Sequence, residues 1–297
     1  MISVNLSNKI GKYTTFVCAI LIITITMSII LLIAYKGLAI FTRDGVSLHS
    51  FFLTSKWNPE ATPSEGGPFV GAAPFIAGSV AVALLALLFS APFGIGIAIF
   101  MAEISTGWGR KIMQPVIELF VGIPSVVYGW IGLSVLVPLI RNHIGGMGFS
   151  LLAGAIVLAV MIFPTIASVS TDSLSANPAD IREGSLALGV THWQTILMVM
   201  VPAAMPGILT AIILALARAF GEALAVQMVI GNAIRMPTSL LGPMHTMTSI
   251  ITMEMSNTVM GTVSNDVLWT IAFILLIISF MFIMLIRTIN GGRAVMR

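Results

Sequence analysis

The chain has 297 residues, 58% of them hydrophobic and 8% charged, with a formal net charge of +3 at pH 7. A soluble globular domain carries about 25% charged residues, so this chain lacks the charge to cover a water-facing surface and much of its exterior must meet lipid. The small, scattered positive balance gives no basis for nucleic-acid binding, and a single cysteine, Cys18, excludes an internal disulfide and a thiolate metal cluster.

The first apolar run, Phe16–Tyr35, follows Lys9 and Lys12 as the core of a secretory signal would. A signal core spans roughly 7–15 residues, and Tyr35-Lys36-Gly37 stands where a small-residue cleavage site would be. The run therefore reads as an uncleaved membrane helix. Five more follow, roughly Pro74–Met101, Pro115–Ile140, Leu151–Ser170, Pro206–Gly231 and Val267–Ile286, near the ~20 residues a helix needs to span hydrocarbon. They are continuous, whereas a barrel would show alternating segments of about 10 residues. The expectation is an all-α integral membrane protein of about six transmembrane helices, forming one domain over residues 1–297.

Basic residues orient the spans. With the N-terminus in the cytoplasm, that side holds Lys9, Lys12, Arg110, Lys111, Arg182, Arg287, Arg293 and Arg297. The other side holds Lys36, Arg43, Lys56, Arg141 and Arg235. Both termini are thus expected in the cytoplasm. The long loop Leu38–Ala73, with Trp57, Glu60 and Glu65, then lies outside, as does Asn232–Asp266. The latter contains the methionine-rich stretch Met244–Met255, with His245 and Glu254. It is too polar to span and reads as interfacial or re-entrant, tolerated against protein or water.

The cytoplasmic segment Thr171–Met205 is patterned where a linker would be short and polar. Asn177-Pro178 with Asp180 supplies a helix start. Ile181, Ser185, Leu186, Ala187 and Leu188 give an apolar side, and Gly189 a stop. A second short helix is expected from His192 to Val201, ending before Pro202. Two short helices around a glycine suit docking; they equally suit a hairpin resting on its own bundle, because an apolar side serves either.

The fifth run carries Arg218 and Glu222, spaced i, i+4, which share a face on a continuous helix and can pair. Gly207, Ala211, Ala215, Ala219 and Ala223 recur at four-residue steps and admit a close helix. The two charges flank this stripe and are expected to point into the bundle. An arginine at that depth costs at least ~2.5–3.5 kcal/mol. One reading is a buried ion pair that fixes packing. The other, preferred here, puts Arg218 on the path of an anion, with Glu222 holding its rotamer, because a planar guanidinium fork offers paired donors to oxyanion oxygens.

Other singled-out residues have plainer readings. Pro92, Pro124 and Pro164 are expected as static kinks, and Glu103 and Glu118 as solvated charges at a cytoplasmic membrane edge. The 19 methionines are expected as adaptable packing. His49, His143, His192 and His245 lack ligand spacing. The sequence shows no Ser-His-Asp set, HExxH or GxxxxGK[ST] motif, which argues against an enzyme and against an ATP site in this chain.

Glu183-Gly184-Ser185, three residues, Gly189, then Val199-Met200-Val201-Pro202 resembles the EAA loop of bacterial ABC-importer permeases. That pattern is Glu-Ala-Ala, three residues, Gly, nine residues, Ile-x-Leu-Pro; Gly184 and Ser185 replace the alanines, and Val199 and Val201 the Ile and Leu. Further segments resemble the phosphate-specific branch: Phe75–Ser79, Ala91–Ala98 with Glu103, Glu118–Gly129 with its Gly-Ile-Pro-Ser-Val-Val-Tyr-Gly, Leu188-Gly189-x3-Trp193, and Arg218–Glu222 with Ala225-Val226. In the last, Ala223 and Leu224 replace Thr and Met. Lys56-Trp57-Asn58-Pro59 in a long external loop favours the PstC-type subunit.

The resemblance implies a type I ABC importer permease for inorganic phosphate. Glu183, Gly184, Ser185, Gly189 and Pro202 would belong to the loop that couples to an ATPase, and Arg218 and Glu222 to the translocation path. The implied partners are a second, PstA-type permease, two cytoplasmic ATPase subunits that use the ATP, and an extracytoplasmic phosphate-binding protein. No cofactor is expected on this chain. Alternatives are a permease for molybdate or sulfate and an ATP-independent anion carrier.

Overall fold

A computed structural model describes residues 2–62, 64, 66–105 and 107–294 of the chain. Of the residues named above, Glu65 and Arg297 lie outside this set, as do the side chains of Lys9 and Arg293. The fold is all-α, with a two-residue β-ladder in the first loop.

Helix α1 (Ile2–Thr42) leads to α2 (Leu48–Leu53), capped by Ser47. Strands β1 (Trp57–Asn58) and β2 (Phe69–Val70) pair antiparallel, Trp57 opposite Val70. Helix α3 (Ala73–Ile99) runs on through a π turn, Phe100–Ile104, and α4 (Gly107–Gly122) follows. Next come α5 (Ser125–Ile131), a π turn at Gly132–Leu136, and α6 (Val137–His143). Helix α7 (Leu151–Ser175) starts at Ser150, whose hydroxyl accepts the Ala153 N–H. Helices α8 (Ala179–Ala187) and α9 (His192–Thr195) form a hairpin, and a π turn at Ile196–Met200 joins α9 to α10 (Val201–Gly221). Then come α11 (Leu224–Ile230), α12 (Met247–Glu254) and α13 (Val263–Ala294).

Among the described residues, six helical stretches are long and apolar enough to cross a membrane: Ile10–Thr42, Ala73–Ile104, Ser125–His143, Leu151–Ser175, His192–Gly221 and Val263–Ile289. The number agrees with the sequence reading; two of the stretches differ in kind. Pro115–Ile140 is not one helix, because the chain breaks at Ile123-Pro124 between α4 and α5. Pro124 has no N–H to offer the Phe120 carbonyl four residues back. The Tyr128 hydroxyl takes that role, donating to the Phe120 carbonyl at 2.7 Å. Pro124 therefore ends a helix, while Pro92 and Pro164 lie within α3 and α7.

The fifth span is also displaced. The helix expected to stop before Pro202 continues from His192 to Gly221. Pro138 and Pro202 each stand two residues beyond a π turn, and the wider turn relieves the clash between a proline ring and the preceding carbonyls.

Helices α3, α7 and α10 form the centre. The small-residue stripe on α10 is buried from Gly207 to Ala219, and a Cβ on Gly207 would collide with the Ser173 side chain of α7, the close approach such a stripe permits. Helix α1 packs along α13: Gly37 leaves room for Phe273, and the Thr270 hydroxyl donates to the Gly37 carbonyl at 2.8 Å. Arg43, just beyond α1, pairs with the buried Asp266 of α13. The methionine-rich stretch is protein-lined, with Met244, Met247 and Ile250 buried and the Met247 N–H donating to Ser79 of α3 at 2.8 Å.

Candidate functional site

Two places bring the candidate residues together, one at each end of α10. The first is the α8–α9 hairpin. Gly189 sits at φ +78°, the left-handed conformation that ends α8. Thr191 and Gln194 form a reciprocal capping box that starts α9. Inside the hairpin the Ser185 and Thr195 hydroxyls bond at 3.0 Å, and Asn177 Nδ2 donates to the Met200 carbonyl at 3.0 Å. Ser185 is buried; Glu183, Gly184, Gly189 and Pro202 are exposed. A Cβ on Gly184 would meet nothing within 4 Å, so the position would accept the alanine of the resembled pattern.

The apolar side of this hairpin is not fully turned to the bundle. Leu188 is 84% exposed, Met198 71% and Trp193 56%. An apolar surface left open between polar residues marks an interaction site more than a packed face. Sequence reasoning missed one feature here. Glu103, expected as a solvated charge, has a side chain with no exposed area and pairs with Arg182 of α8, whose Nη2 lies 2.9 and 2.8 Å from its two oxygens. The π turn at the end of α3 and the folded-back hairpin bring the two together. The two residues lie 79 apart in the chain, and no local pattern signalled their contact.

The second place is the far end of α10. Gly221 is its last helical residue, and Glu222 is extended at φ −74°, ψ 124°. The Glu222 carboxylate accepts the Ala225 N–H at 3.0 Å and so caps α11. Its backbone carbonyl accepts the Thr248 hydroxyl of α12 at 2.7 Å. Arg218 Nη1 donates to Thr165 of α7 at 3.1 Å. The expected Arg218–Glu222 pair is therefore absent: one extended residue ends the helical phase and turns the carboxylate to Ala225. Among the described residues Arg218 makes no ion pair.

Around this break the two glycine-bearing signatures meet. A Cβ on Gly129 would lie 2.8 Å from both the Ala225 Cα and the Met228 sulfur, so α5 and α11 touch because residue 129 has no side chain. Ser79, Glu222, Thr246 and Thr248 line a cavity of about 10 Å³ there, at the threshold for one water molecule. Pro202 and Arg218 stand 16 residues apart on α10, about 24 Å at 1.5 Å per residue. One helix thus joins the exposed hairpin to the Arg218 guanidinium.

Comparison with known proteins places this arrangement. Residues 94–291 match the family described as binding-protein-dependent transport system inner membrane component. The chain belongs to that family. It is similar to the probable ABC transporter permease protein YqgH of Bacillus subtilis, 51% identical over 96% of this chain and 91% of that one. It is also similar to the phosphate transport system permease protein PstC of Haemophilus influenzae, 31% identical over 93% and 90% of the two chains. Its fold resembles the inward-facing MetNI methionine ABC transporter, with a TM-score of 0.54 and 20% identity over 71% of this chain and 93% of that one. The chain is thus a multi-pass membrane permease subunit of an ABC importer, with type I importer permease architecture. Permeases of this kind are not ATPases; they work with separate ATPase subunits and with binding proteins.

Proposed function

We propose that this permease carries inorganic phosphate across the cytoplasmic membrane, paired with a PstA-type permease and served by two ATPase subunits and an extracytoplasmic phosphate-binding protein. Both termini lie in the cytoplasm, consistent with six spans and with the basic residues at the two ends. The hairpin around Glu183, Gly184, Ser185 and Gly189 docks on an ATPase subunit, and Pro202 marks the start of the rod that leaves it.

The observation that carries the substrate reading is the guanidinium of Arg218, held by Thr165 and without a carboxylate partner among the described residues. A charge inside a helix bundle is costly unless something compensates it. An arginine positioned by a neutral hydroxyl keeps its charge and most of its fork for an incoming oxyanion. Glu222 contributes by holding the α10–α11 break open to α12, not by neutralising Arg218. The 10 Å³ cavity beside it is too small for phosphate, which fits a path completed by the second permease. ATP binding draws the ATPase subunits together, the docked hairpins follow, and the paired bundles alternate between inward- and outward-facing forms.

The test is phosphate uptake into proteoliposomes holding the whole complex, with ATP inside and binding protein outside. Uptake is expected to require ATP, to vanish in Arg218→Ala with the ATPase still docked, and to vanish in Glu183→Arg through loss of docking. Uptake without ATP would refute the importer reading for this complex. Equal competition by molybdate or sulfate would reassign the substrate, and full uptake in Arg218→Ala would remove Arg218 from the path.

A further inference from the structure

The α8–α9 hairpin is folded by its own bonds, Ser185 to Thr195 and Asn177 to Met200. The Arg182–Glu103 pair is not needed for that, because it leaves the hairpin and ends on another element. Glu103 sits in the π turn that terminates α3, and its side chain is fully buried. A carboxylate in that position depends on Arg182, its one ion-pair partner among the described residues, since an unpaired buried charge is strongly unfavourable.

Helix α3 is keyed to its surroundings along its length. Gly94 lies against Ile166 of α7, and Gly78 against the His245 carbonyl. Near its other end, Ser79 accepts the N–H of Met247, the first residue of α12. From Ser79 to Glu103 is 24 residues, about 36 Å of helix. One rod therefore runs from the arginine beside the exposed Glu183 to the methionine-rich helix at the opposite face.

We propose that Glu103 and Arg182 form the joint through which movement of the docked hairpin is delivered to α3, and through α3 to α12. This rests on the hairpin being the ATPase dock. Both are positioning residues: neither touches cargo or nucleotide. The joint acts in parallel with α10, which is continuous with the hairpin through the chain itself, and it adds a second, non-covalent attachment that obliges α3 to move with α10.

The test uses the whole complex in proteoliposomes, in a Cys18→Ser background, with Ser256→Cys carrying an environment-sensitive fluorophore just beyond α12. ATP is expected to shift the emission when the native pair is present. Glu103→Gln and Arg182→Gln should each reduce that shift about tenfold, while ATPase subunits co-purify and hydrolyse ATP within about twofold of the native rate. The double variant should be no worse than either single one, because the two residues act as a unit, and Arg182→Lys should recover most of the shift.

A full shift in both Gln variants would overturn the joint. So would loss of bound ATPase in step with loss of the shift, which would make the pair only a brace for the hairpin, and so would a native complex that gives no ATP-driven shift. Phosphate uptake is scored separately: its failure removes the substrate assignment, whereas the emission signal decides the joint without reference to cargo.

Discussion

Tyr128→Phe isolates a single hydroxyl with a defined structural task. In an unbroken helix the Phe120 carbonyl would accept the N–H of residue 124, and Pro124 has none. The Tyr128 hydroxyl supplies the missing donor at 2.7 Å, on a side chain that is only 7% exposed. Removing it leaves a carbonyl without its partner in apolar surroundings, which costs about 1–3 kcal/mol. The assay is unfolding of the purified protein by SDS titration in mixed micelles, with Tyr128→Phe made in the native and in the Pro124→Ala background. Restoring an N–H at residue 124 should shrink the cost of Tyr128→Phe to under about 0.5 kcal/mol. An equal loss in both backgrounds, or a loss below about 0.5 kcal/mol in the native one, would refute the assignment of this hydroxyl as the replacement donor.

Four further outcomes are expected. Gly129→Ala places a Cβ 2.8 Å from the Ala225 Cα, which is backbone and cannot swing aside; it should destabilise by about 1–3 kcal/mol and lower uptake. Gly184→Ala, with nothing within 4 Å, should stabilise by up to about 1 kcal/mol and leave uptake unchanged. Burial pushes His245 down to about 4, partly opposed by a backbone hydrogen bond to Asn232. The folded protein therefore binds fewer protons than the unfolded chain between about pH 6.5 and 4. Stability should fall as pH drops through that window, by roughly 3 kcal/mol in full, and His245→Gln should flatten this dependence in detergent melts. Arg218→Lys keeps the charge but loses the planar fork; the phosphate KM should rise about tenfold while ATP hydrolysis without cargo is unchanged.

The membrane architecture was legible in the sequence because lipid imposes a long, one-sided requirement on composition, so apolar runs reported six spans. The hairpin was legible because Pro178, Gly189 and Thr191 are local signals that act where they stand. The break at Glu222 was not legible. Gly221, Glu222 and Ala223 are all compatible with a helix, and what fixes the extended residue includes a hydroxyl 26 residues away, on Thr248. Periodicity therefore extended the fifth span through the break and paired Arg218 with the wrong partner. The Glu103–Arg182 contact bridges 79 residues and leaves no local trace in sequence. The π turns before Pro138 and Pro202 were equally invisible, since a widened turn has no composition of its own and is seen only in the backbone.

The seam between α1 and α13 has a consequence for synthesis. The hydroxyl that fastens α1, on Thr270, lies 233 residues beyond the Gly37 carbonyl it reaches. At 5–20 residues per second, α1 waits in the bilayer on the order of 10–50 s before its neighbour emerges from the ribosome. A helix that must wait alone needs every face compatible with lipid, and α1 is apolar around much of its circumference, with Phe16, Ile20, Leu21, Ile22 and Ile23 all exposed. Helix α1 is thus made long before it can find its place, and it closes the bundle together with α13.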